Sequence, residues 1–179
     1  MSNIRKALKD PKRHLISLSF KFSYLDTKNM FLLCDGLQVN RTLCKLDLSS
    51  NGLPPLSGIY VVRSLVENTH LSDLNLSKNN LNDDFAEELA NCLRENEVLW
   101  RVDISYNLIT ERGGKSILKA LREGNESLES LGDMEANPLM GICLIGDIQG
   151  CLEANMYVAD GTDYHDKKKK VQTMEQMKS

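Results

Sequence analysis

LDLSSNGL at 46–53, LNLSKNNL at 74–81, VDISYNLI at 102–109 and LGDMEANPL at 131–139 are one pattern written four times. The first three copies start 28 residues apart, and Leu131 follows Val102 by 29. Apolar residues at every second position (Leu46/Leu48, Leu74/Leu76, Val102/Ile104) have the period of a strand with one buried face. A further apolar residue stands three positions before each strand: Leu15, Leu43, Leu71, Leu99 and Leu128. Each strand then runs into a bend that carries asparagine: Asn51, Asn79, Asn107 and Asn137. Both amide atoms of asparagine can satisfy backbone groups, so these four residues read as a structural ladder that staples successive bends. Self-similarity at this period is the mark of a solenoid.

Between the bends the spacing turns helical. Leu81, Phe85, Leu89 and Leu93 recur every four residues, and Asp83 and Asp84 fall where the first turn favours negative charge. A second motif closes each helix: GLQVN (36–40), SLVEN (64–68), CLREN (92–96), ALREGN (120–125) and CLEAN (151–155). Its small first residue lets backbones approach, which makes Cys92 and Cys151 packing residues in the slot of Gly36, Ser64 and Ala120. Its asparagine is expected to end the helix in the left-handed conformation. The first copy, from Leu18, is degenerate, with Ser23 in the ladder position. The extra residue between Leu131 and Met134 suggests a bulge.

These motifs together resemble the ribonuclease-inhibitor-type leucine-rich repeats over residues 4–155. The resemblance implies an α/β leucine-rich-repeat solenoid, a short horseshoe with parallel strands on the concave face and helices on the convex face. The expected organisation is an N-terminal cap helix and lead-in at 1–17 and five repeats at 18–155, starting near 18, 46, 74, 102 and 131. A Lys-rich tail at 156–179 follows. The chain reads as starting in mid-repeat and ending without a polar cap, so the last repeat, around Leu152, needs cover from the tail or another chain. The family includes ribonuclease inhibitors, Ran GTPase activators, tropomodulin-like actin cappers, immune-receptor sensor regions and ciliary proteins. Most are binders, and fold alone does not choose among them.

The remaining residues offer little chemistry. The formal charge of −3 gives no drive toward nucleic acid or an anionic membrane surface. The start, MSNIRKALKDPKRH, lacks the apolar core of a secretory signal, and five cysteines without CxxC pairing fit reduced thiols. A cytoplasmic protein is expected, with the nucleus as the alternative. His14, His70 and His165 have no metal-ligand spacing, and no nucleophile or phosphate-loop signature is present. Gly113-Gly114 reads as close helix packing. No catalytic residue, cofactor or metal is expected.

What is left is a surface. Lys45, Asp47 and Ser49, Asp73, Asn75 and Ser77, and Arg101, Asp103 and Ser105 alternate with the buried strand positions and are expected to face the concavity. Trp100 and Tyr106 flank the strand at 101–103 and are the aromatic anchor candidates. Candidate protein-binding residues are thus Lys45, Asp47, Asp73, Asn75, Trp100, Arg101, Asp103 and Tyr106. Five strands about 4.8 Å apart offer a few hundred Å², against about 800 Å² per partner in a standard interface. Binding must therefore recruit the bends after the asparagine ladder, a helical flank or the exposed last repeat. The expected function is a non-catalytic interaction module or scaffold subunit of an intracellular assembly, cytoskeletal or ciliary. The alternatives are an enzyme regulator of the Ran-activator or ribonuclease-inhibitor kind and an innate-immune sensor fragment.

Overall fold

A computed structural model describes residues 2–10, 12–137 and 139–159. The order is α1 (Ser2–Lys9), β1 (Ser17–Ser19), α2 (Thr27–Leu37), β2 (Lys45–Asp47), α3 (Pro55–Leu65), β3 (Asp73–Asn75), α4 (Asp83–Glu95), β4 (Arg101–Asp103), α5 (Glu111–Arg122), a 3-10 turn (Met134–Ala136) and α6 (Ile142–Ala159). The strands form one parallel sheet in the order β1-β2-β3-β4, with Ser17, Lys45, Asp73 and Arg101 in one row across it. Each helix packs on the next along one side of the sheet. Helices need about 8–10 Å between axes and strands about 4.8 Å, so the stack curves toward its strands. The core lies between the layers, where Leu46, Leu48, Leu74, Leu76, Val102 and Ile104 meet Val62, Phe85, Leu89 and Ile117, all fully buried.

Asparagine staples the layers at both ends of the strands. At the bends, the Asn79 carboxamide oxygen accepts from Asn51 N–H at 3.1 Å and Leu53 N–H at 3.0 Å. Its Nδ2 donates to the carbonyls of Leu48, Leu76 and Ser77. Asn107 repeats most of this pattern, Asn137 receives the Asn107 N–H, and Ser23 N–H donates to Asn51 at the degenerate end. The helix-closing asparagines form a second ladder. Asn68 donates to Leu37 and Asn40 carbonyls, Asn96 to Leu65 and Asn68, Asn125 to Leu93 and Asn96, and Asn155 to Asn125 and Leu128. The left-handed role expected for them is corrected: among the described residues no asparagine has a positive φ, and Asn96 sits at −94°, 120°.

No fifth strand forms among the described residues. Ser130 makes a single parallel bridge to Arg101, and the chain then turns at Gly132 (φ 75°) into the 3-10 turn. A Cβ on Gly132 would lie 2.3 Å from Asp103 Oδ1, so only glycine lets the backbone pass there. The extra residue thus makes a turn in place of a bulge. Helix α6 continues through Asn155 to Ala159, where the motif predicted its end, because no Gly or Pro follows until Gly161. Ile148 and Leu152 on α6 are buried, and at that end Leu139, Ile142 and Met156 are exposed. The Lys-rich segment Lys167–Lys170 lies outside the described residues.

Small residues set the helix spacing. A Cβ on Gly58 would come 2.6 Å from Leu81 Cδ2, one on Gly113 2.8 Å from Ala86 Cβ, and one on Gly114 2.8 Å from Leu144 Cδ2. The glycine pair is therefore filled by its neighbours. Cys34 and Cys92 are buried in the same layer, and burial pushes both thiols up to about 12, far from reactive thiolate.

Asp83, in the first turn of α4, is buried and fully engaged. It accepts from Thr110 N–H at 2.7 Å, from the Thr110 hydroxyl at 2.6 Å and from Arg112 Nε at 3.3 Å. Burial opposes its charge, but these donors outweigh burial and hold the carboxyl below its ordinary range. Its stabilising contribution is complete above the unfolded value of about 4 and is lost as pH falls through the lower folded value. Asp83→Asn is expected to lower stability by about 1–3 kcal/mol at neutral pH. Its urea midpoint should also fall less between pH 6 and pH 3 than that of the wild type. Parallel pH profiles for the two proteins would contradict this.

Candidate protein-interaction surface

The sheet face opposite the helices brings together most of the predicted residues. Lys45 and Arg101 are exposed, and Asp47, Asp73, Asn75 and Asp103 are half-buried. Lys45 Nζ lies 3.5 Å from Asp73. The face holds a shallow depression of about 290 Å³ lined by Ser17, Ser19, Lys45, Asp47, Asp73 and Arg101.

The row Asp47–Asn75–Asp103 has a second occupation. Asp47 Oδ1 accepts from Ser49 N–H, Asn75 Oδ1 from Ser77 N–H and hydroxyl, and Asp103 Oδ1 from Ser105 N–H and hydroxyl. These bonds fold the chain inward after each strand. Ser49, Ser77 and Ser105 are buried, where strand alternation placed them on the concave face. Alternation fails there because the strands are only three residues long and the bend begins one residue after each serine, at Ser50, Lys78 and Tyr106.

Arg101 is different. It sits on the last strand, and among the described residues no carboxylate lies within 4.0 Å of its guanidinium. Trp100 beside it is 40% exposed, and its backbone is fixed by bonds to Ser72, Glu129 and Ser130. Tyr106, beyond the strand, is exposed with Lys78 Nζ 5.2 Å from its ring centroid. The structure thus separates the predicted residues into a concave group around Lys45 and Arg101 and an edge group around Tyr106. Sequence reasoning missed the other members of that edge, Phe22 and Tyr24, because the first repeat is degenerate. Their signal was their 28-residue phase with Ser50, Lys78 and Tyr106, and with Gly52.

A sequence profile described as Leucine Rich repeat matches residues 67–90. The mouse NACHT, LRR and PYD domains-containing protein 4C is 31% identical over 148 residues, 80% of this chain. The protein phosphatase 1 regulatory subunit 37 homolog of Caenorhabditis briggsae is 28% identical over 126 residues, 68% of the chain. The chain spans only 15% and 13% of the lengths of these two relatives. Among solved structures, leiomodin-1 actin-binding site 2 superposes with a TM-score of 0.73 at 17% identity, covering 98% of this chain and 95% of that one. The tropomodulin C-terminal domain of Caenorhabditis elegans gives 0.77 at 14% identity, covering 88% and 94%. Identities this low show a shared fold. This chain is a leucine-rich-repeat protein, built as an α/β solenoid.

Proposed function

We propose that the chain is a non-catalytic protein-interaction module whose concave sheet face seats a protein partner, in repeats of the ribonuclease-inhibitor type. The observation that carries this is the exposed Arg101 on β4, whose guanidinium has no carboxylate within 4.0 Å among the described residues, beside the part-exposed Trp100 that precedes the strand. Arg and Trp are the side chains that most often dominate binding energy at protein interfaces. The same outline carries an actin-binding site in leiomodin-1 and forms the tropomodulin C-terminal domain, which supports a place in a cytoplasmic, cytoskeletal assembly. No helix among the described residues is long and apolar enough to cross a membrane.

Affinity capture with mass spectrometry tests this, comparing the wild type with Lys45→Glu/Arg101→Glu. These two residues suit reversal better than Asp47 or Asp103, whose carboxylates hold the bends. The Lys45–Asp73 pair is exposed, and such pairs contribute about 0–1 kcal/mol, so the variant should stay folded. Loss of the captured protein, by about tenfold or more, is expected, with actin co-sedimentation as a parallel arm. A variant that retains every partner would remove the concave face from the reading.

A second reading rests on the 31% identity to the NACHT, LRR and PYD domains-containing protein. The chain would then be a sensor-like repeat segment whose partner is another receptor chain. Capture of such a chain, with no binding in the actin arm, would favour it.

A further inference from the structure

The bend after each strand needs one residue in the left-handed region, and the sequence fills it in an unexpected way. Phe22 (φ 56°), Ser50 (57°), Lys78 (56°) and Tyr106 (55°) occupy this position in successive repeats, and Tyr24 (47°) stands where the next repeat has Gly52 (62°). Glycine and asparagine adopt this conformation readily, and a bulky side chain there is strained. Yet three of the five non-glycine left-handed residues among the described residues are aromatic. They bury little in return: Phe22 is 64% exposed, Tyr24 85% and Tyr106 56%. Folding does not ask for these side chains, since Ser50 and Gly52 do the same backbone work. Strained, exposed aromatics of this kind are characteristic of functional surfaces.

The edge is also basic. Lys21 Nζ lies 5.5 Å from the Phe22 ring centroid and Lys78 Nζ 5.2 Å from that of Tyr106. Neither lysine has a carboxylate within 4.0 Å among the described residues, and each lies exposed beside a ring. The acids nearest the two lysines in sequence are accounted for: Asp26 caps α2 through Asn29 N–H, Asp73 pairs with Lys45, and Asp83 accepts from Thr110 and Arg112. The geometry points to a second docking surface along this edge, for an acidic, extended protein segment with two apolar side chains. Phe22 and Tyr24 hold one apolar side chain, Tyr106 holds the other, and Lys21 and Lys78 take the carboxylates between them. Three repeat steps at about 4.8 Å separate Phe22 from Tyr106, so the anchors lie about four extended residues apart. The inference rests on the protein-binding reading above and adds to it a distinct surface and the chemistry of what binds there.

The test uses the full chain, isotopically labelled, and two synthetic peptides of twelve residues. One carries leucines four apart with Asp and Glu between and around them. The other has Asn and Gln in place of the acids. The acidic peptide is expected to shift the amide signals of Phe22, Tyr24, Lys78 and Tyr106, and the neutral one to bind about tenfold more weakly or less. Phe22→Asn/Tyr106→Asn should weaken the acidic peptide by about tenfold while raising the thermal midpoint, because asparagine relieves both bends. That rise separates lost binding from lost folding. Equal response to both peptides, no response to either, or undiminished binding by the double variant overturns the inference. If captured partners survive Phe22→Asn/Tyr106→Asn but are lost with Lys45→Glu/Arg101→Glu, the edge is refuted and the concave reading stands.

Discussion

Replacing Asn79 with alanine is expected to destabilise the protein by about 3–5 kcal/mol. Asn79 is buried, and its carboxamide makes five hydrogen bonds to backbone groups of two consecutive repeats. Alanine leaves the Asn51 and Leu53 N–H groups without their acceptor in a region closed to water. Each buried donor so orphaned carries a penalty of about 1–3 kcal/mol, and the carbonyls of Leu48, Leu76 and Ser77 lose a donor as well. A domain of this size has about 5–15 kcal/mol in total, so the loss is a large part of its stability. Because each repeat contacts only its neighbours, faster amide exchange at Asn51 and Leu53 should accompany the lowered denaturation midpoint. Asn80→Ala is the control. Asn80 is exposed, with one long bond of 3.5 Å to Gly52, and its loss should fall within about 0.5 kcal/mol. Similar effects at the two neighbours would mean that the bend does not depend on its buried amide.

The contrast between Asn79 and Asn80 shows what the sequence could and could not carry. Period-two leucines and an in-phase asparagine report local geometry, and four copies in phase made strand, bend and helix legible without coordinates. The four-residue spacing of Leu81, Phe85, Leu89 and Leu93 likewise announced the buried face of α4. What stayed hidden depends on residues far away in sequence. The helix-closing asparagines looked like terminators, because their carbonyl partners lie 27 to 32 positions earlier. The fifth strand was expected because nothing local in LGDMEAN says that Gly132 must slide past Asp103 and Ser105. On the concave face the alternation correctly exposed Lys45 and Arg101. It could not show that Asp103 was already committed to Ser105. The edge aromatics were least legible of all, since a positive φ leaves no trace in composition when the residue is Phe or Tyr.

Phe85→Ala tests the other structural device, the matching of large and small residues between helices. Phe85 is fully buried, and its Cδ2 lies 2.7 Å from where a Cβ on Gly58 would stand. The ring of α4 thus presses on the bare backbone of α3, and the loss of the ring is expected to destabilise by about 3–5 kcal/mol. The reciprocal change, Gly58→Ala, forces a methyl against both Leu81 Cδ2 and the ring and should destabilise by about 1–3 kcal/mol. Combined, the two should not add. The cavity left by the ring takes the new methyl and gives Leu81 room to move, so Gly58→Ala should become nearly neutral in the Phe85→Ala background. Urea unfolding of the four proteins gives the coupling directly. Ile142, largely exposed at the start of α6, supplies the comparison: Ile142→Ala should fall within about 0.5 kcal/mol. Strict additivity of the Gly58 and Phe85 changes would mean that the helices do not meet ring to backbone, and that the spacing of the solenoid is set elsewhere.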